Sequence, residues 1–211
     1  MQLTTSLIDL SAITRAPAAT SPYPYFIGTD FLPPEAVREL RRDFPDIRKP
    51  GFLTVPEIEM RGSFRRFIDE LEGPELAEAV SAKIGIDLDP FPRLTTIRKF
   101  SQAKDGRIHT DSQSKLATFL VYLNDGWSGA DGGRLRVLRG PSDFDDMVAE
   151  IPPIMGTVFG FKRADNSWHG HKPFAGERRV VQITWLQDAS ELERKKKRNK
   201  LAQLFKGVFG R

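Results

Sequence analysis

The sequence predicts a mainly β fold of the α+β class, with helices in the first part of the chain and strands in the rest. Helical patterns occur before about residue 90, and short apolar strands separated by Gly, Asp, Asn and Pro follow from about residue 91. The 211-residue chain suits one domain, or one domain with an appendage, and is long enough to bury a sizeable core.

The helical part contains three predicted helices. Pro33-Pro34 followed by the acid-containing run 35–40 marks a helix start, because proline fits the first helical turn and acidic side chains suit the N-terminus. Residues 64–72 and 75–83 form two further helical patterns, which Gly73-Pro74 separates.

The second part contains five predicted strands. They span residues 91–100, 116–123, 133–138, 156–162 and 179–186.

Composition excludes several classes of protein. The chain contains no cysteine, which rules out a disulfide scaffold and any thiolate metal site, so a metal here must be held by His and carboxylate. Residues 1–20 lack the basic start and apolar run of a signal peptide, and no stretch approaches the length of a membrane span. The default expectation is a cytoplasmic protein.

The three histidines lie in two places. His109 stands in the triplet His109-Thr110-Asp111, and His169 and His171 follow about 60 residues later. Because residues i and i+2 of a strand point to the same side, His109 and Asp111 can reach one metal ion, and a histidine from another strand can complete the set. Two imidazoles and one carboxylate on one face of iron form the ligand set of non-haem Fe(II) oxygenases.

Several motifs in order resemble the 2-oxoglutarate and Fe(II)-dependent oxygenases, in particular their prolyl hydroxylase-like branch. The resemblance covers roughly residues 91–187 and rests on the runs IHTD at 108–111, VYLN at 121–124, GGRLRV at 132–137, SWHG at 167–170 and RVVQITW at 179–185.

The resemblance implies a double-stranded β-helix, the jelly-roll or cupin-like core, with N-terminal helices buttressing one sheet. The residue pattern at the end of the chain adds a basic C-terminal helix to this fold. The expected organisation is a helical support region at 1–90, a catalytic jelly-roll core at 91–188 and a basic amphipathic tail at 189–211. The implied cofactors are Fe(II), 2-oxoglutarate as co-substrate and dioxygen. The implied metal ligands are His109, Asp111 and His169.

The implied reaction is hydroxylation of an unactivated C–H bond with release of succinate and carbon dioxide. Related halogenases lack the carboxylate ligand, so Asp111 favours hydroxylation. Family spacing places the ligand about ten residues before the co-substrate arginine, which selects His169 over His171; His171 is then a neighbour of the site or an ordinary rim histidine. The alternative function is a non-catalytic jelly-roll module that binds a metal or a sugar.

The last predicted strand, 179–186, has two faces. One carries Arg179 and three apolar side chains; the other carries Arg178, Val180, Gln182 and Thr184. The first face is the more apolar and is expected to point inward, where a buried Arg179 would need a carboxylate partner. The alternation of faces along the strand and the spacing of the family motif back from Trp185 both favour Arg179 as the residue that binds the distal carboxylate of 2-oxoglutarate. The alternative is that Arg179 pairs with an acid of the chain, such as Asp43 or Glu70, and that Arg178 binds the ligand.

Three further positions bear on co-substrate binding. Tyr122 stands where relatives place a tyrosine hydroxyl against the co-substrate, and Leu120 on the same face is expected to pack along its carbon chain. Both also fit an ordinary core strand. Phe100 falls where some relatives carry a second tyrosine, and it lacks the hydroxyl.

The sequence leaves the substrate open among protein side chains such as prolyl, small metabolites and saccharide or lipid-linked intermediates. The nucleic-acid demethylase branch carries a second arginine where this chain has Trp185, which argues against alkylated bases. Segments 46–62 and 101–108 are expected to form lids or pocket walls, where specificity is usually set.

The C-terminal tail is strongly basic. From Glu191 to Arg211 there are eight Lys and Arg against two Glu, a local charge of +6 within a net charge of +4. Leu201, Leu204, Phe205, Val208 and Phe209 form one helical stripe. The tail either lies on an anionic membrane surface or docks this stripe on its own domain or on a second subunit. Nucleic-acid binding is disfavoured, because the basic run lacks interleaved aromatic residues.

Overall fold

The computed structural model describes residues 5–128, 132–194 and 197. Four α-helices and ten β-strands are defined within them. The helices are α1 (Ser11–Arg15), α2 (Pro34–Asp43), α3 (Gly62–Leu71) and α4 (Pro74–Ile84). The strands are β1 (Ala18–Ala19), β2 (Tyr25–Gly28), β3 (Leu53–Thr54), β4 (Arg93–Ser101), β5 (Lys115–Tyr122), β6 (Leu135–Leu138), β7 (Met147–Ile151), β8 (Val158–Lys162), β9 (His169–Gly170) and β10 (Gly176–Leu186).

The strands form two antiparallel sheets. The large sheet has seven strands in the order β1-β2-β8-β5-β10-β4-β3, and the small sheet has three in the order β7-β6-β9. A single antiparallel bridge between His109 and His169 adds one more position beside β9. Strands distant in sequence are neighbours in both sheets, as in the double-stranded β-helix that the sequence predicts.

The local sequence explains where the helices begin and end. α2 and α4 each begin at a proline, and proline costs little there because the first N–H groups of a helix have no partner within it. α4 ends at Ile84, and the next residue, Gly85, has a φ of +68°, in the left-handed region that closes many helices. The three predicted helices are present, with bounds shifted by one or two residues.

The large sheet is buried on both faces. One face packs with α3 and α4 in the larger apolar cluster, which includes Phe67, Phe119, Val181, Ile183 and Trp185. The opposite face lines the interior between the two sheets and carries a second cluster, which includes Leu120, Tyr122, Val137, Phe161 and Val180. The division follows strand parity, because alternate residues of β5 and β10 enter different clusters.

Five short strands were not predicted from the sequence. β1, β2 and β3 come from the first 90 residues, so that region contributes strands to the large sheet as well as helices. β2 pairs with β8 and β3 pairs with β4. Strands of two to five residues carry too little periodicity to be recognised before their partners are known.

In the part of the chain that the structure describes, no helix has the length and apolar character needed to cross a membrane. The apolar stripe predicted for residues 201–209, and with it the basic amphipathic helix, lies outside the described residues.

Candidate metal and co-substrate site

His109 and His169 face each other across the bridge that extends the small sheet. Each backbone N–H donates to the carbonyl of the other residue, both at 3.0 Å, and the ring centroids lie 4.4 Å apart. His109 belongs to an extended segment with this one bridge and not to a regular strand, while His169 begins β9. The long-range pairing, and not local sequence, therefore brings the two imidazoles together.

Both rings are oriented in the same way by the backbone. His109 Nδ1 lies 2.8 Å from the Arg107 carbonyl oxygen, and His169 Nδ1 lies 2.9 Å from that of Ser167. A carbonyl oxygen only accepts, so each Nδ1 carries a proton, and Nε2 is the ring nitrogen that offers a lone pair to a metal when the imidazole is neutral. Burial, aided by the neighbouring His109, lowers the pKa of His169 to about 4, although Asp111 opposes this shift, so His169 is neutral near pH 7.

Asp111 is ionised and held in place. Burial raises the pKa of its carboxyl, but the charge of Lys115, with hydrogen bonds from Lys115 and Thr118, outweighs burial and brings the pKa well below its usual range. Lys115 Nζ donates to one carboxylate oxygen at 2.6 Å, and Thr118 Oγ1 donates to the other at 2.7 Å. One oxygen of a carboxylate fixed in this way can bind a metal while its other contacts persist.

The three side chains fit a metal centre. One potential ligand atom from each of His109, Asp111 and His169 lies within 4.8 Å of the other two. Two imidazoles and one carboxylate, each held by a hydrogen bond on the side away from the metal position, are the donors that non-haem Fe(II) prefers when positions must stay open for substrate and dioxygen. Asp111 and His169 are buried and the His109 side chain is 51% exposed, so one side of the cluster faces the solvent.

The cluster opens into a cavity of about 280 Å³ between the two sheets. Its polar lining consists of Arg98, His109, Asp111, Lys115, Thr118, His169, His171, Arg178 and Gln182. Its apolar lining consists of Phe52, Leu120, Leu135, Phe161 and Val180. Phe52 and Gly106 come from the two segments predicted as lids or walls, and each forms part of the wall.

Arg178 is the arginine of β10 that enters this cavity. The residue is 4% exposed; its Nε donates to the Gly133 carbonyl at 2.7 Å, and its Nη2 donates to the Tyr122 hydroxyl at 3.2 Å. In the part of the chain that the structure describes, no carboxylate pairs with it. A buried guanidinium held by two neutral acceptors is a site for an acidic ligand.

The prediction that Arg179 points into the interior is wrong. Its guanidinium forms an ion pair with Glu177 and lies 4.8 Å from the centre of the Phe44 ring, on the outer side of the sheet. The more apolar face of β10 is buried, as expected, but it packs against the helices. The cavity takes the more polar face, and the alternative assignment to Arg178 is the one that the geometry supports.

The other predicted positions are distributed around the same cavity. Leu120 lines the cavity. Tyr122 is fully buried beside it, and its hydroxyl oxygen accepts a hydrogen bond from Arg178. His171 also lines it and is 3% exposed, so it is no rim histidine; its Nδ1 donates to the Lys172 carbonyl at 2.9 Å. His171 is not part of the three-residue cluster.

Sequence reasoning missed Arg98, Lys115 and Thr118. Arg98 follows the fully buried Ile97 in β4, so that the two lie on opposite faces of the sheet. Thr118 stands two residues before Leu120 on the face of β5 that lines the cavity. Because residues i and i+2 of a strand share a face, the placement of Leu120 in the cavity could have predicted Thr118 there as well. Lys115, the first residue of β5, reaches Asp111 from the point where the pairing with β10 is irregular.

One protein-family model matches part of the chain. Residues 96–187 match the model of the 2OG-Fe(II) oxygenase superfamily. A search of curated proteins finds no match.

Several solved structures share the fold at low sequence identity. A prolyl-4-hydroxylase from Pseudomonas putida aligns with a TM-score of 0.55 and 18% identity over 85% of this chain and 99% of its own. A viral collagen prolyl hydroxylase from Paramecium bursaria chlorella virus-1, solved as a 2OG complex, aligns with a TM-score of 0.51 and 19% identity over 78% and 96%. A prolyl hydroxylase from Trichoplax adhaerens, in complex with a hypoxia inducible factor peptide fragment, aligns with a TM-score of 0.50 and 14% identity over 77% and 83%.

The matched residues 96–187 contain the histidine and aspartate cluster, Tyr122 and Arg178. Over these residues, fewer than half of the chain, the protein resembles the 2OG-Fe(II) oxygenase superfamily, and the match together with the cluster indicates an oxygenase that uses Fe(II), 2-oxoglutarate and dioxygen.

Proposed function

We propose that the protein hydroxylates a C–H bond of its substrate, with His109, Asp111 and His169 holding Fe(II) and Arg178 holding the distal carboxylate of 2-oxoglutarate. One observation carries the proposal. A single cavity of about 280 Å³ joins the three-residue cluster to a buried guanidinium that lacks a carboxylate partner within the described residues. A module that only bound a metal or a sugar would not need that guanidinium.

Neighbouring backbone and side-chain groups hold and orient the three metal donors. When bound, Fe(II) and 2-oxoglutarate supply the oxidising chemistry that consumes dioxygen and releases succinate and carbon dioxide. The backbone contacts of His109 and His169 fix which ring nitrogen is free, and the contacts of Lys115 and Thr118 fix the Asp111 carboxylate. Because these donors are already oriented, binding a metal requires little rearrangement.

The opposite end of the cavity recognises the co-substrate. Arg178 lines the cavity, and its contacts with Gly133 and Tyr122 use only Nε–H and one Nη2–H, so its other N–H groups are left for a ligand. A guanidinium can bind a carboxylate through two parallel hydrogen bonds. Leu120 and Val180 line the same cavity and provide an apolar surface for the carbon chain between the two ends.

Asp111 supports hydroxylation and not halogenation, because a carboxylate occupies the position that a halide would need. Among substrates, we propose that prolyl-containing peptides be tested first, since similar folds occur in prolyl hydroxylases, one of them in complex with a peptide. Small metabolites and saccharide or lipid-linked intermediates are the next classes. Trp185 is fully buried on the helix side of the sheet, so it cannot serve as a second anion-binding residue in the cavity.

The experiment that tests this function requires no knowledge of the substrate. Metal-free protein is titrated anaerobically with Fe(II) and then with 2-oxoglutarate, and the visible charge-transfer band of a 2-oxo acid chelated to protein-bound iron is followed. We expect a saturable band that is absent from Asp111→Ala, whose iron site lacks its carboxylate. Bound iron without a band would contradict the proposal and favour a metal-binding module.

Partners other than the substrate depend on the basic tail, for which we propose docking on the domain or on a second subunit. Docking predicts that the full chain and a chain ending at residue 189 pellet equally with anionic vesicles. Stronger pelleting of the full chain would instead indicate contact with a membrane surface.

A further inference from the structure

Arg98 in β4 brings a second, mostly buried guanidinium into the cavity. Its side chain is 11% exposed, and its guanidinium carbon lies 4.0 Å from the centre of the Phe52 ring. Its Nε is buried and has no hydrogen-bond partner among the described residues. Its other contacts are long, since Nη1 lies 3.4 Å from Ser101 Oγ and 3.6 Å from an Asp105 carboxylate oxygen. Such a guanidinium still has donors available for a ligand.

Arg98 lies at the same end of the cavity as Arg178, because it stands opposite Val180 in the pairing of β4 with β10, two residues from Arg178. Burial lowers the pKa of Arg98 to about 10; Asp105 opposes this shift and the charge of Arg178 adds to it. The charges of both arginines also act on Tyr122 and on His171. The charged or polar neighbours that act on His169 are instead Asp111, His109 and Lys115. The cavity therefore has a metal end and a guanidinium end.

The charges at the guanidinium end are unequal. Arg98 and Arg178 contribute two positive charges, and among the described residues Asp105 is the one carboxylate that forms an ion pair with either of them. An unpaired charge in a buried place is costly, and one carboxylate placed between the two guanidinium groups would neutralise the excess. The distal carboxylate of 2-oxoglutarate, already placed at this end by Arg178, carries that charge.

We infer that Arg98 is a second residue binding the distal carboxylate of 2-oxoglutarate, and that Asp105 partly neutralises Arg98 when the co-substrate is absent. This inference rests on the proposed function and assigns co-substrate selectivity to two arginines on adjacent strands, β4 and β10. Removing the Arg98 charge should weaken binding, whereas removing the Asp105 charge should strengthen it, because Arg98 then has no competing partner.

The test compares two ligands that differ only in the distal carboxylate. Fe(II)-loaded protein is titrated anaerobically with 2-oxoglutarate and with 2-oxopentanoate, which has the same chain length but ends in a methyl group. For Arg98→Gln we expect 2-oxoglutarate to bind about tenfold or more weakly, and 2-oxopentanoate to change by less than about twofold. Arg98→Lys, which retains the charge, should keep most of the preference for 2-oxoglutarate.

Two further variants complete the test. Lys99→Gln removes a neighbouring charge that does not line the cavity, and it should leave both affinities unchanged. Asp105→Asn keeps an oxygen that can accept from the Gln102 N–H, now 3.0 Å away, and it should bind 2-oxoglutarate more tightly. A purely structural role for Arg98 would not predict opposite effects for Arg98→Gln and Asp105→Asn.

The outcomes separate this inference from the proposed function. Equal weakening of both ligands in Arg98→Gln, or weaker 2-oxoglutarate binding in Asp105→Asn, would overturn the role of Arg98. If Arg178→Gln also kept full selectivity for 2-oxoglutarate, the proposed function itself would fail. If Arg98→Gln does not fold, as judged by circular dichroism and Fe(II) binding, Arg98→Lys and Asp105→Asn still decide.

Discussion

Replacing Arg178 or Arg179 by glutamine tests which arginine of β10 binds the co-substrate. We expect Arg178→Gln to retain Fe(II) but to bind 2-oxoglutarate far more weakly, because the guanidinium that faces the cavity is lost. Arg179→Gln should change co-substrate binding by less than about twofold. The matched pair differs by one residue in position and by the face of the sheet on which each side chain lies.

The magnitude follows from the surroundings of Arg178. The residue is 4% exposed, and its loss would remove the charged partner of the ligand together with the donors to Gly133 and Tyr122. Truncating one member of a buried, hydrogen-bonded charge pair costs about 2–5 kcal/mol, which corresponds to roughly 30-fold to several thousand-fold in Kd. The ion pair of Arg179 with Glu177 lies at the surface, where such a pair contributes about 0–1 kcal/mol.

The assay is the anaerobic charge-transfer titration, with iron binding measured separately for each variant. Unchanged iron affinity in Arg178→Gln would show that the loss concerns the co-substrate and not the fold. If Arg179→Gln lost 2-oxoglutarate while Arg178→Gln retained it, the placement of Arg178 in the cavity would be refuted and the expectation from sequence parity restored.

Three other predictions follow from single contacts. His169→Ala should abolish Fe(II) binding at micromolar metal while His171→Ala retains it, measured by equilibrium dialysis; equal loss would place His171 among the ligands. Asp43→Ala should lower the free energy of unfolding in urea by about 1 kcal/mol, because its carboxylate accepts from an N–H in the first turn of α3; Asp43→Asn should restore most of this, and no change would exclude a capping role. Gly106→Ala should weaken 2-oxoglutarate binding and lower Tm by more than Gly85→Ala: both glycines have positive φ, but only at Gly106 would the added Cβ meet the His171 ring.

The sequence predicted the long elements well and the short ones poorly. α2 begins at Pro34, as the proline pair indicates, and all five predicted strands are present with shifted bounds. Those segments carry their own periodicity or capping signals. β3 and β9 contain two residues each and exist because a partner strand lies beside them, so their own residues carry no sufficient pattern.

The metal cluster was accessible from the sequence because its chemistry depends on residue type and spacing. In a chain with three histidines, the triplet at 109–111 and the histidine at 169 leave few combinations, and the structure brings one ligand atom from each within 4.8 Å of the others. The pair of arginines at the other end of the cavity could not be predicted from the sequence. Arg98 stands among nine residues of β4, and nothing local distinguishes it from Lys99.

The sequence by itself thus determined the class of fold, the resemblance to the oxygenase superfamily and the three residues, His109, Asp111 and His169, that the structure brings together. Only the tertiary structure decided which arginine lines the cavity, because both faces of β10 are buried and hydrophobicity alone does not tell a helix-packed face from a cavity-lining one. The position of Arg98 in the cavity was also decided only by the tertiary structure. Arg98 lies near Arg178 because β4 pairs with β10, although the two residues are about 80 positions apart in the chain. The alternation of faces within a strand does not specify such a pairing.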